Sequence, residues 1–213
     1  MACTYEELRK AKDVLSDIEH HLHAEQGGLC AYTGRSISLS PKNKSNYVGF
    51  HLEHLTPQSY CDPGQDADLS NLVACYPEPN TPQAPYGAHP KADWPSTAER
   101  HLLLSPLDPS CASRLRFRSN GVVEPANTQD RPALETIQNL FLNHPELTAL
   151  RRAAIQTTLS PKFNQKLTKQ QTSTLLQKMR QDEEDLARGL SVSLKPYCFA
   201  LVQVLEKHLR SFG

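Results

Sequence analysis

The stretch His51-Leu52-Glu53-His54-Leu55-Thr56-Pro57-Gln58-Ser59 places two imidazoles and a carboxylate between leucines, just ahead of a proline. The run NYVGFHLEHL that contains it alternates in polarity as a strand does and is expected to end near His54. Side chains alternate faces along a strand, so His51 and Glu53 share one face and His54 points to the other unless the strand ends there. A sharp bend after His54, helped by Pro57, would let Glu53 and His54 both reach one neighbouring loop. One could then bind a metal while the other holds a water. His51 is read as a supporting or surface residue rather than a ligand.

The chain has 213 residues, which suits one domain or a small domain with an appended helical region. Lysine plus arginine equals aspartate plus glutamate at 23 each. That balance argues against a free-standing, strongly basic nucleic-acid binder. None of the six cysteines forms a C-x-x-C pair, and MACTYEELRK has no apolar signal core. YCFALVQVL is too short to span a bilayer. The expectation is a cytoplasmic protein with reduced thiols and no membrane association.

Working outward, residues 5–24 carry Leu8, Ala11, Leu15, Ile18 and Leu22 at helical spacing. Thr4 and Glu7 form a candidate capping box, and EQGG ends the helix. CDPGQDADLS reads as a polar loop. Asn120-Gly121 lies between two short runs and predicts a hairpin. From Ala133 the chain reads as helical, with Leu134, Ile137, Leu140 and Phe141 in one stripe. His144-Pro145 restarts a second helix. Two more stripes follow, over Leu176, Met179, Leu186 and Leu190, and over Cys198, Leu201, Val202, Leu205 and Leu209.

The motif around Glu53-His54 resembles that of the HNH endonucleases. EHLTP, then Asn71-Leu72 seventeen residues after His54, then Asn80 nine residues further, meet that family's elements in order. GLCAYTGR upstream looks like the family's knuckle. Downstream, LLLSPLDPSCASRLRFRSNGVVEP and TIQNLFLNHPELTALRR look like a subgroup that includes the nuclease subunit of Septu-type antiphage systems, retron-linked versions among them. The resemblance covers roughly residues 5–157.

What the resemblance implies is an α+β fold. A ββα-metal finger lies between an N-terminal helix (1–28) and a C-terminal helical region (126–213), with the nuclease core and its hairpin extension at 29–125. It implies His54 as general base, Asn71 as the residue that orients it, and Glu53 and Asn80 as ligands of one divalent cation, Mg²⁺ or Mn²⁺. It further implies hydrolysis of nucleic acid, DNA ahead of RNA, and an ATPase partner subunit. Pro82, Pro85 and Gly87 are poor openings for the expected helix. The helix is therefore expected near His89, which competes with Asn80 as a ligand, while Lys91 could contact a phosphate. Arg114 and Arg116, with Arg118, would form a phosphate-contacting stripe or an ordinary solvated face. The zinc ligands of some relatives are reduced here to Cys30, with Cys75 one residue off register. No structural zinc is expected, and Tyr32, Tyr76 and the prolines would fill that space. The alternative function is a non-catalytic binding or adaptor subunit that keeps the finger fold.

Overall fold

The computed structural model describes residues 3–39, 48–79, 82–162 and 165–213. Helix α1 (Tyr5–Lys10) starts at the expected capping box, with both the Thr4 and Glu7 side chains on reciprocal backbone amides. The single helix expected over 5–24 is broken at Ala11 (φ −85°, ψ 74°), and α2 (Lys12–Glu25) follows in a new direction. The break turns α1 onto the loop after β1 (His51–His54). There the Tyr5 amide donates to Asp66 Oδ2 at 2.9 Å. Helix propensity has no term for that tertiary contact, so Ala11 reads as helical from its neighbours.

β1 pairs antiparallel with β2 (Leu72–Cys75), in register His51 with Cys75 through His54 with Leu72. β2 is buried along its whole length. Its outer edge does not go unpaired. The Ala74 amide donates to Gln26 Oε1, and the Ala74 carbonyl accepts from the Ala31 amide and Gln26 Nε2. One side chain at the end of α2 thus satisfies an edge that burial would otherwise penalise. After β2 come the short α3 (Ala88–Lys91) and a 3₁₀ segment, Thr97–Leu102.

The Asn120-Gly121 hairpin is present as β3 (Leu115–Phe117) and β4 (Val123–Pro125), preceded by α4 (Cys111–Arg114). It packs β3 on α8 (Cys198–Arg210) and β4 on α5 (Arg131–Asn139), while α6 (Pro145–Leu159) and α7 (Lys169–Ala187) also lie against α8. One continuous apolar cluster runs from Leu8 and Leu22 through Leu72 and Val73 to Leu147, Leu201 and Leu205. The fold is therefore mixed helix with two small antiparallel sheets. The hairpin belongs to the same core as the helices beyond residue 125. The stripe expected on α5 is rotated. Ala133, Thr136 and Ile137 face inward, whereas Leu134 and Phe141 are exposed. Among the described residues no helix is long and apolar enough to cross a membrane.

Gly121 has φ +88°, and a Cβ there would run into the Thr148 carbonyl and the Arg152 amide of α6. Gly189 has φ +77° with open space around it. Gly121→Ala is expected to lower unfolding stability by about 3 kcal/mol, from strain plus overlap, and Gly189→Ala by about 1 kcal/mol, from strain alone. Urea denaturation of the two variants checks that order.

Candidate active site

The strand continues regularly through His54, whose pairing with Leu72 is followed by a Leu55 amide bond to the Asn71 carbonyl at 2.9 Å. The chain does bend at Leu55-Thr56, directly after His54, but the bend does not bring Glu53 and His54 to one loop. His51 and Glu53 leave one face of β1, and Leu52 and His54 the other. The two groups nevertheless share an electrostatic neighbourhood, because the Glu53 charge acts on His54.

His54 is buried. Tyr5 meets its ring edge-on, with centroids 4.5 Å apart. Its Nε2 lies 2.8 Å from the Asp66 carbonyl, which can only accept, so Nε2 carries the hydrogen. In the neutral ring Nδ1 is then the proton-accepting nitrogen. Burial holds the His54 pKa below the ordinary imidazole value, against the opposing pull of the Asp66 carbonyl and Glu53.

Asn71 fixes the loop that carries Asp66. Its Oδ1 accepts from the Thr56 amide at 2.7 Å, and its Nδ2 faces the Thr56 and Gln65 carbonyls, each at 3.2 Å. The orienting role implied by the resemblance thus has a physical route, from the Asn71 amide through the 56–71 loop to the His54 ring.

On the other face Glu53 lies between Lys91 and His51. Its Oε1 is 2.9 Å from Lys91 Nζ, and its Oε2 is 3.4 Å from His51 Nε2. The Lys91 ammonium is 1 % exposed and also donates to the His54 carbonyl at 2.8 Å. Lys91 is therefore turned inward onto the strand rather than outward to a surface phosphate, the role its place after His89 suggested. No sequence signal marked that burial, because lysine is rarely found inside unless paired. Burial works against the Glu53 charge, but His51 and Lys91 outweigh it and hold its carboxyl below the usual range. Burial likewise opposes the charge on His51. Glu53 and the Pro77 carbonyl, 2.5 Å from His51 Nδ1, prevail and raise the His51 pKa.

His89 stacks on His51 with ring centroids 5.9 Å apart, and its Nδ1 accepts from the Ala84 amide at 2.8 Å. The neutral ring then carries its hydrogen on Nε2, which suits donation better than metal ligation. Burial, followed by the nearby His51 charge, lowers its pKa. Asn80 lies outside the described residues. Among the described residues no group of three or more His, Cys, Asp or Glu side chains converges as a ligand set.

The arginines assigned to a phosphate stripe are engaged within the hairpin region. Arg114 forms a two-pronged pair with Asp130 at 2.6 and 2.7 Å. Arg116 and Arg118 both face Glu124. Cys75, expected off register, meets Cys30. The two buried thiols hydrogen-bond, and Cys30 Sγ also accepts from the Tyr76 amide at 3.3 Å. Burial pushes the Cys30 pKa up, but the Cys75, Thr33 and Tyr76 donors outweigh it and bring it to about 6. Tyr76 stacks on Tyr86, with the Arg35 guanidinium 4.0 Å above the Tyr76 ring. No protein-family model matches the chain, and no curated protein matches it.

Two measurements test this geometry. Asn71→Ala leaves a buried amide and carbonyls unpaired and is expected to cost about 2–3 kcal/mol of unfolding stability. Asn71→Asp, which keeps the acceptor and loses the donors, should cost nearly as much. By NMR titration of the metal-free chain, His51 should titrate above about 6.5 and His54 and His89 below it. The stability consequences have opposite signs. The His54 and His89 contribution is complete above about 6.5 and is lost as pH falls through their lowered values. The His51 contribution is complete below about 6.5 and is lost as pH rises through its raised value.

Proposed function

We propose that the chain is an HNH-type endonuclease that hydrolyses nucleic-acid phosphodiester bonds with the help of one divalent cation. The observation that carries this reading is the His54 imidazole, kept neutral by burial and fixed by the Asp66 carbonyl so that Nδ1 accepts a proton. A neutral imidazole with one free, oriented nitrogen is what a general base for water attack needs.

The donor set near Glu53 can take a cation at two positions. Glu53 Oε2 and His51 Nε2 are 3.4 Å apart, a separation compatible with adjacent sites on one ion. His51 Nδ1 already donates to Pro77, so loss of the second proton exposes Nε2 as a ligand. A mixed oxygen–nitrogen pair suits Mn²⁺ better than Mg²⁺. Asn80 stands in the proposal as a further oxygen ligand. When bound, the ion supplies charge stabilisation at the phosphate and the leaving oxygen. The chain's own residues do the rest. His54 takes the water proton at Nδ1, Asp66 holds its tautomer, Asn71 holds the loop, and Lys91 fixes Glu53 and the end of β1.

Zero net charge and the ion-paired Arg114, Arg116 and Arg118 support a subunit whose grip on DNA comes from a partner. An ATPase-associated antiphage complex fits that need, and cytoplasmic action is part of the same proposal. A second reading, a non-catalytic binding or adaptor subunit, is favoured by one observation. Glu53 and His54 lie on opposite strand faces, with the carboxylate already neutralised by Lys91 and His51.

Cleavage of supercoiled plasmid by the chain, alone and with its ATPase partner, in Mn²⁺ or Mg²⁺ separates the readings. His54→Ala is expected to reduce cutting about 10²–10⁴-fold, the usual contribution of a general base. Glu53→Gln should remove the metal dependence together with the activity, and His89→Ala should cost less than about tenfold. Cleavage indifferent to both His54→Ala and Glu53→Gln, or absent in every context, would overturn the nuclease reading, and the second outcome would favour the adaptor.

A further inference from the structure

A cavity of about 280 Å³ lies away from His54, between the 31–34 loop, the β3–β4 hairpin, α5, α6 and α8. Its walls are mostly apolar, formed by Leu104, Leu115, Phe117, Leu140 and Phe199 among others. One wall carries the Arg151 guanidinium, which is 2 % exposed. Arg151 donates Nη1 to the Gly121 carbonyl at 2.6 Å and Nη2 to the Leu142 carbonyl, and its Nε has no partner. Among the described residues no aspartate or glutamate pairs with it. Asp108 also lines the cavity, but its carboxylate faces Arg114 and the Ser110 amide. The Tyr32 hydroxyl, on the same lining, is buried without a partner.

A buried cation without a counter-ion is costly, and so is each buried donor left unmet. Burial alone accounts for the lowering of the Arg151 pKa to about 10. Two neutral carbonyls and the Phe117 ring, 5.6 Å from the guanidinium carbon, satisfy part of its bonding but supply no counter-charge. The missing complement is a single negative charge joined to an apolar body. The cavity is at the small end of ligand sites, which sets the body at a medium-length alkyl chain. One positive charge in apolar surroundings matches a monoanion, since a dianion would bring a second charge to desolvate.

We propose that this cavity binds a medium-chain alkyl carboxylate, with its head group against Arg151 and its chain among Leu115, Phe117, Leu140 and Phe199. The site is independent of the nuclease reading.

The test is calorimetric titration of the full chain with sodium octanoate, 1-octanol and octylamine. Octanoate should bind with one-to-one stoichiometry and at least about tenfold more tightly than octanol, the difference expected for a charge-assisted contact, and octylamine should not bind. Ala112→Phe fills the cavity from α4 and should abolish octanoate binding while the chain stays folded by circular dichroism. Arg151→Met, if it folds, should bind octanol and octanoate equally. If it does not fold, the comparison of the three ligands on the native chain and Ala112→Phe still decide. Equal binding of octanoate and octanol to the native chain, no octanoate binding at millimolar concentration, or octanoate binding unchanged by Ala112→Phe would each overturn the proposal.

Discussion

The arrangement around β1 depends on the buried Asn71 side chain. A single amide group accepts from the Thr56 backbone and faces the Thr56 and Gln65 carbonyls, closing the seventeen-residue excursion between the two strands. That closure places the Asp66 carbonyl at His54 Nε2 and the Asp66 carboxylate at the Tyr5 amide. The tautomer of His54, the docking of α1 and the edge contact of Tyr5 therefore share one support. Polar groups buried at this density are stabilising only when all are paired, which is why an amide with both donor and acceptor is needed at position 71.

The opposite face of β1 is organised by charge. Glu53 is held by Lys91 and His51, and Lys91 also bonds the His54 carbonyl, so one buried ammonium links the carboxylate face to the strand end that carries the imidazole. Removing one member of such a group would strand the others, a loss of about 3–5 kcal/mol for a buried pair. A cation entering beside Glu53 meets a carboxylate already engaged. In the proposed metal site the ion would compete with any proton on His51 Nε2, which would link its binding to pH.

Local signals were legible where the chemistry is local. Thr4 and Glu7 cap α1, His144-Pro145 opens α6, and Asn120-Gly121 turns the hairpin, each within a few residues of its partner. The alternation of HLEH likewise placed His51 beside Glu53. Features set by distant partners were not legible. Ala11 breaks a helix so that Tyr5 can reach Asp66, sixty-one positions away. Arg114 is paired by Asp130 rather than left for phosphate. Lys91 is drawn inside by Glu53, and Cys75, one residue off the expected ligand position, meets Cys30. The bend after His54 is present at Leu55-Thr56, but pairing of His54 with Leu72 keeps the strand alternating up to it, so Glu53 and His54 stay on opposite faces.

The central claim is that the protein holds His54 as a neutral ring with its proton on Nε2. Long-range ¹H–¹⁵N correlation of the uniformly labelled chain at neutral pH reports that state for each histidine. The account predicts the pattern of a protonated Nε2 and an unprotonated Nδ1 for His54, changed in Asn71→Ala. A His54 that is doubly protonated at neutral pH, or protonated on Nδ1, would contradict it.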